Sequence, residues 1–172
     1  MRSLILGGAR SGKSALAERW AADSGMAVTY IATSQARDGE MAERIAHHRS
    51  RRPVSWGCVE EPLALADVLR RHASPGHLLL VDCLTLWLSN LLCLEDEARF
   101  VSERDALLDV VSTLPGGLIF VSNEVGLGIV PMGALSRRFV DEAGRLHQQL
   151  AVRCERVVFV AAGLPLALKG SL

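Results

Sequence analysis

The chain has 172 residues, 49% apolar and 22% charged, and its 19 Lys and Arg balance 19 Asp and Glu. That length suits one α/β domain around one core, and a net charge of zero gives no basic surface for a polyphosphate backbone, so no nucleic-acid partner is expected. The four cysteines have no CxxC spacing, which argues against a zinc site and fits reduced thiols in a cytoplasmic protein. Met1-Arg2 leads straight into an apolar strand, so no signal peptide is expected. The most apolar stretch, residues 84–94, is too short to span a bilayer.

In chain order, residues 2–6 read as a buried strand ending at Gly7-Gly8. A helix follows from about Lys13, with Leu16, Ala17, Trp20 and Ala21 at helical spacing. Residues 27–32 form a second strand, and Thr33-Ser34 leads into a loop. Asp38 resembles an N-cap, opening a helix on which Met41, Ile45 and His48 share a face; the run from Ser50 to Pro53 ends it. An extended segment is expected around 54–59, and a helix from Pro62 to about His72. Residues 78–82 are a third strand closed by an acid, followed by helices over roughly 84–94 and 97–113. Residues 118–122 are a fourth strand ending at Asn123-Glu124. A long helix then carries Leu135, Phe139, Ala143, Leu146 and Leu150 on one face, and residues 156–161 are the last strand, followed by a short tail. Apolar strands alternating with helices imply a mostly parallel sheet covered on both faces, in a single P-loop-type domain spanning 1–172.

Gly7-Gly8-Ala9-Arg10-Ser11-Gly12-Lys13-Ser14 satisfies the G-x-x-x-x-G-K-[ST] pattern, after a strand and at the start of a helix. Glycines allow successive backbone N–H groups to turn inward around phosphate oxygens at a helix N-terminus. Lys13 is expected to bridge the β- and γ-phosphates and Ser14 to offer its hydroxyl to Mg²⁺. Asp82, ending a buried strand, stands where an acid holds that metal, although a strand-terminal acid also serves as a helix cap.

Lys13 and Lys169 are the only lysines, and neither lies in an N-K-x-D setting, which disfavours a GTP-driven switch. A small-molecule kinase fits the length, with Arg49, Arg51 and Arg52 available to clamp a moving phosphoryl group. The pair His47-His48 has two readings. Histidines near a helix C-terminus complement its dipole, and His48 continues an apolar stripe. Alternatively, a neutral imidazole attacks a nucleotide α-phosphate and expels pyrophosphate, holding the nucleotide as a phosphoramidate. His47 is offset from the stripe, and Glu43 lies one turn before it, placed to orient the ring.

Four motifs occur in order: the phosphate loop at 7–14, Tyr30-Ile31-Ala32-Thr33-Ser34, Arg44-Ile45-Ala46-His47-His48-Arg49, and the segment from Ser122 to Pro131. Together they closely resemble the bifunctional adenosylcobinamide kinase/adenosylcobinamide-phosphate guanylyltransferase family of cobalamin biosynthesis, over essentially the whole chain. The resemblance implies phosphorylation of the aminopropanol hydroxyl of adenosylcobinamide by a nucleoside triphosphate (GTP or ATP). GTP then guanylylates a histidine matching His47, and the phosphate made first attacks that GMP to give adenosylcobinamide-GDP. It places nucleotide contacts on residues 7–14, on Ala32, Thr33 and Ser34, on His48, Arg49, Ser50 and Arg51, and on Glu60 and Asp82. It also implies a homotrimer. Leu86, Trp87, Leu91 and Leu92 offer an interface, unless that helix is simply core. Glu60 is equally readable as a solvated acid, and Arg137-Arg138 as a solvated helical face. Two readings stand beside this one: a monofunctional P-loop kinase in which His47 is structural, and a GTP-binding module without turnover.

Overall fold

The structure is a computed structural model and describes residues 1–34 and 53–172. The helix expected from Asp38 lies outside the described residues, as do His47, His48, Arg49, Ser50 and Arg51.

The described residues form seven strands and five helices: β1 (Arg2–Gly7), α1 (Lys13–Asp23), β2 (Ala27–Ala32), β3 (Gly57–Glu60), α2 (Leu65–His72), β4 (His77–Asp82), α3 (Leu84–Leu92), α4 (Glu97–Val111), β5 (Gly117–Asn123), α5 (Ala134–Arg153), β6 (Arg156–Ala161) and β7 (Leu164–Lys169). They build one sheet in the order β3-β2-β4-β5-β1-β6-β7. All pairs are parallel except β6–β7. The apolar runs of β1, β4 and β5 are continuous rather than alternating because both sheet faces are covered. On one face Leu4, Leu6, Val81, Phe120 and the wholly buried Trp87 pack with α2 to α5. On the other, Ile5, Tyr30, Leu80, Ile119 and Val158 pack under Leu16, Ala17 and Ala21 of α1.

The expected helix spanning Leu86 to Leu92 is core. Trp87, Leu91 and Leu92 are at most 5% exposed, and the Trp87 indole N–H donates to the Leu63 carbonyl at 2.7 Å. The long helix departs from its expected face at its start. Ala143, Leu146 and Leu150 are buried, Phe139 is half-buried, and Leu135, in the first turn, is 55% exposed. Arg138 is more than a solvated charge: it stacks over the Phe100 ring and pairs with Glu97, tying α5 to α4. Farther along α5, the buried His147 sits with Nε2 2.8 Å from the Ser122 hydroxyl of β5.

The expected C-terminal tail is a strand. β7 folds back on β6 through Ala162 and Gly163, both at positive φ, as a two-residue hairpin turn of the primed type requires. Ala-Gly is a weaker turn signal than Asn-Gly, and the pattern Leu164, Leu166, Leu168 leaves leucines exposed, which disguises the strand. This turn meets the phosphate loop. The Gly163 N–H donates to the Ser11 carbonyl at 2.8 Å, and a Cβ on Gly12 would lie 3.2 Å from the Gly163 Cα.

Gly12 has φ 97°, so Gly12→Ala combines left-handed backbone strain with that contact. It is expected to lower unfolding stability by about 1–3 kcal/mol. Gly163→Ala, where an added Cβ meets nothing within 4 Å, should cost less; denaturant titration of both checks the order. Burial holds His147 below its ordinary value of 6.5 despite an opposing pull from Glu124. The unfolded chain therefore binds a proton first as pH falls, so this residue's contribution to stability is complete above about pH 6.5 and declines below it. His147→Asn should flatten the fall in Tm between about pH 7.5 and 5.5, measured by thermal unfolding.

Candidate nucleotide site

Parallel pairing brings the carboxyl ends of the central strands to one edge, where open α/β sheets bind ligands. Gly7 of β1 lies level with Asn123 of β5, Ala32 of β2 with Asp82 of β4, and Glu60 of β3 with Ala32. The residues flagged along the sequence as the phosphate loop, the Ala32–Ser34 turn and Asp82 are therefore brought together. Glu60 stands exposed on the edge strand.

The loop from Gly7 to Gly12 links β1 to α1. Gly7 admits no side chain: a Cβ there would lie 2.5 Å from the Val160 carbonyl oxygen and 2.6 Å from the Ser11 hydroxyl. Ala9 and Arg10 are exposed, and Arg10 takes a left-handed φ of 56°. No side chain caps α1, so its first N–H groups are free to meet an anion. Lys13 is 8% exposed and donates from Nζ to the Gly8 carbonyl at 3.0 Å. Its burial pulls the ammonium below its ordinary value, against the field of Asp82. The Ser11 hydroxyl is buried with no hydrogen-bond partner among the described residues, a donor in want of an acceptor inside the loop. A phosphate group fits both features.

Among the described residues no cluster of three or more His, Cys, Asp or Glu side chains forms a metal cage. A metal here would be shared between half-buried Ser14, half-buried Asp82 and nucleotide phosphate oxygens, which is how Mg²⁺ is ordinarily held.

The Ala32–Ser34 turn divides its labour. Thr33 has no exposed surface. Its hydroxyl donates to the Cys83 carbonyl at 2.7 Å and accepts the Cys83 N–H at 3.0 Å. Asn90 of α3 closes the knot, donating to the carbonyls of Thr33 at 2.9 Å and Pro62 at 3.2 Å. Thr33 thus fixes the backbone beside Asp82, and Ser34 is the half-buried side chain of this turn. On the other side of Asp82, the Asn123 amide donates to the Thr85 hydroxyl at 2.9 Å. The Cys83 thiol, pushed up to about 11 chiefly by burial, stays neutral. Sequence reading missed Thr85, Asn90 and His147 as members of this framework. The available signal was a polar residue inside an apolar run, as with Asn90 among leucines.

Beyond β5, the segment from Glu124 to Gly133 is rich in exposed apolar residues, including Leu127, Ile129 and Met132. With α3 and α5 it borders a cavity of about 440 Å³ lined by Leu92, Val125, Pro131, Leu135 and Phe139. No helix among the described residues is long and apolar enough to cross a membrane.

Solved structures that share this fold include two of distant sequence. The RadB recombinase superposes with a TM-score of 0.51 at 16% identity, covering 92% of this chain and 73% of its own. An ATPase of a bacterial type III secretion system gives 0.55 at 13% identity, covering 96% of this chain and 57% of its own. At such identities the likeness concerns the fold alone. The sequence itself is 66% identical over 170 residues to the bifunctional adenosylcobalamin biosynthesis protein CobP of Pseudomonas aeruginosa, covering 99% of this chain and 98% of that one. It is 39% identical over 182 residues to the bifunctional adenosylcobalamin biosynthesis protein CobU of Escherichia coli K12, covering 98% and 100%. Residues 3–168 match the model of the cobinamide kinase / cobinamide phosphate guanyltransferase family; with a phosphate loop in place at the head of α1, this chain is an enzyme belonging to that family.

Proposed function

We propose that the chain phosphorylates the aminopropanol hydroxyl of adenosylcobinamide and then converts the product to adenosylcobinamide-GDP through a guanylylated His47. The observation that carries the reading is the phosphate loop at the sheet edge, with Lys13 buried at its end and Asp82 closing β4 at the same edge, in a chain matched to the family over residues 3–168. In the first step a hydroxyl oxygen attacks the γ-phosphorus, and the bond from that phosphorus to the β-phosphate oxygen breaks. Lys13 and the α1 N-terminus stabilise charge on the phosphates; Ser14 and Asp82 would hold Mg²⁺, which adds further neutralisation there.

In the second step a ring nitrogen of His47 attacks the α-phosphorus of GTP and pyrophosphate leaves. The corrinoid phosphate oxygen then displaces the histidine from the guanylyl group. Support for this step comes from the His-His-Arg segment and from the family, whose name pairs kinase with guanyltransferase. Arg49 and Arg51 neighbour the nucleophile in sequence and suit the departing pyrophosphate. The reading includes ATP or GTP as phosphoryl donor and a homo-oligomer. The exposed Leu164, Leu166 and Leu168 of β7 are consistent with the latter, and light scattering checks it.

Incubation with Mg²⁺ and α-labelled GTP, without corrinoid, is expected to leave acid-labile, base-stable label on the protein and none on His47→Ala. An unlabelled parent protein that binds GTP would sink the transferase step. Lys13→Met is expected to lower kinase kcat/KM by about 10²–10³-fold. Because burying this ammonium is itself unfavourable, its Tm should stay level or rise, which separates lost chemistry from lost folding.

A further inference from the structure

Three side chains at the sheet's carboxyl edge have no part in the steps above. Ser122 is wholly buried near the end of β5, and its hydroxyl lies 2.8 Å from Nε2 of His147 on α5. The other ring nitrogen, Nδ1, faces Oε2 of Glu124 at 3.8 Å, within ion-pair range but beyond a direct hydrogen bond. The second carboxylate oxygen, Oε1, accepts the Gly126 N–H at 2.6 Å. The Glu124 N–H in turn donates to the carbonyl of Gly7, the first residue of the phosphate loop, at 3.0 Å. The carboxylate is thus oriented by its own loop, anchored beside the phosphate site and still 22% exposed.

Two acids of the edge, Asp82 and Glu124, stand on opposite sides of the sheet. Along β4, Leu78 and Leu80 pack toward α1, and Asp82 follows in the same phase, coupled to Lys13. Along β5, Leu118 and Phe120 pack toward α5, Ser122 follows them, and Glu124 continues to the same side against His147. In-line phosphoryl transfer needs the leaving and attacking oxygens on opposite sides of the phosphorus. Among the described residues Glu124 presents a carboxylate on the side of the sheet away from Lys13 and Asp82, where an acceptor hydroxyl would approach if those two face the leaving oxygen. Val125, next in sequence, already lines the neighbouring apolar cavity.

We propose that Glu124 is the proton acceptor of the kinase step and that His147, fixed by Ser122, is a positioning residue for it. This rests on the kinase reading above. As the acceptor oxygen bonds to the γ-phosphorus and the bond to the β-phosphate oxygen breaks, the hydroxyl proton passes to the Glu124 carboxylate. The nucleoside diphosphate leaves with the bonding electron pair, and the proton is later released to solvent.

The test is steady-state kinase assay with ATP or GTP and adenosylcobinamide, with nucleotide binding and circular dichroism on each variant. Glu124→Gln is expected to lower kcat by about 10²-fold or more while the nucleotide Kd stays within about threefold. His147→Leu should lower kcat about tenfold with the nucleotide KM unmoved, and His147→Gln, whose amide reaches the position of Nε2 and can still hydrogen-bond Ser122, should recover most of that loss. Turnover by Glu124→Gln within about threefold of the parent overturns the proton-acceptor assignment alone, and unchanged kcat in His147→Leu overturns the positioning role. A parent protein that binds nucleotide but never phosphorylates the corrinoid overturns the kinase reading and this proposal together. Should Glu124→Gln fail to fold, Glu124→Asp decides: its shorter reach is expected to cost about tenfold in kcat, and parental turnover would refute the assignment.

Discussion

The meeting of the phosphate loop with the β6–β7 turn is the contact on which the rest of this molecule depends. A loop whose N–H groups converge on an anion is a poor structure by itself, because those groups repel one another and make few bonds of their own. Here it is held from outside. The Gly163 N–H takes the Ser11 carbonyl, the Val160 carbonyl leaves no room for a side chain at Gly7, and Gly12 turns through a left-handed conformation against the Gly163 backbone. α1 then starts without a side-chain cap, its N–H groups aimed at the site. Arg10, also left-handed at φ 56°, carries a strain that glycine would not; such strain persists only where surrounding structure over-determines it, and the hairpin supplies that structure.

Around the loop, the site is assembled by backbone register rather than by a dense cluster of charges. Five parallel strands, β1 to β5, end at nearly the same level, and polar side chains pin several of those ends together. Thr33 clamps the Cys83 peptide from both sides, Asn90 ties the turn to α3, and Thr85 holds Asn123. Each of these groups is buried or half-buried and hydrogen-bonded, so none contributes an unpaired polar cost, and the ensemble leaves Asp82 and Ser34 as the half-exposed members. The edge also has two sides. Lys13 and Asp82 share one with α1, whereas Glu124, His147 and the apolar Glu124–Gly133 segment share the other with α5. Charged and hydrogen-bonding groups on one side thus abut an apolar surface on the other without overlapping it.

Much of this was legible from residues alone. The strands at β1, β2, β4, β5 and β6 and the helices at α1, α3, α4 and α5 follow from apolar runs and helical spacing, with ends displaced by a residue or two. The phosphate loop was unambiguous because a local motif coincided with its strand-to-helix setting. His47 and its neighbours lie outside the described residues, so the role proposed for them rests on their chemistry and on the family. What could not be read are the features that depend on distant partners. β7 carries exposed leucines and a weak turn signal, so its pairing is fixed by β6 rather than by its own pattern. Thr33 looked like a ligand contact because it follows a strand at the ligand edge; that its hydroxyl is spent on Cys83, 50 residues away, no local rule predicts.

The class of fold, the phosphate loop and the family are readable along the chain, because each is written in short-range spacing: apolar period, glycines at fixed offsets, a lysine and a serine at the head of a helix. The tertiary structure alone decided that α3 is core rather than interface and that a C-terminal hairpin braces the loop. It also decided that Ser122, His147 and Glu124, spread over 25 residues, converge beside Gly7. The physical reason is the parallel sheet. Its crossovers bring strands far apart in the chain to one edge, and which side chains meet there is set by register and packing, quantities that no single segment carries.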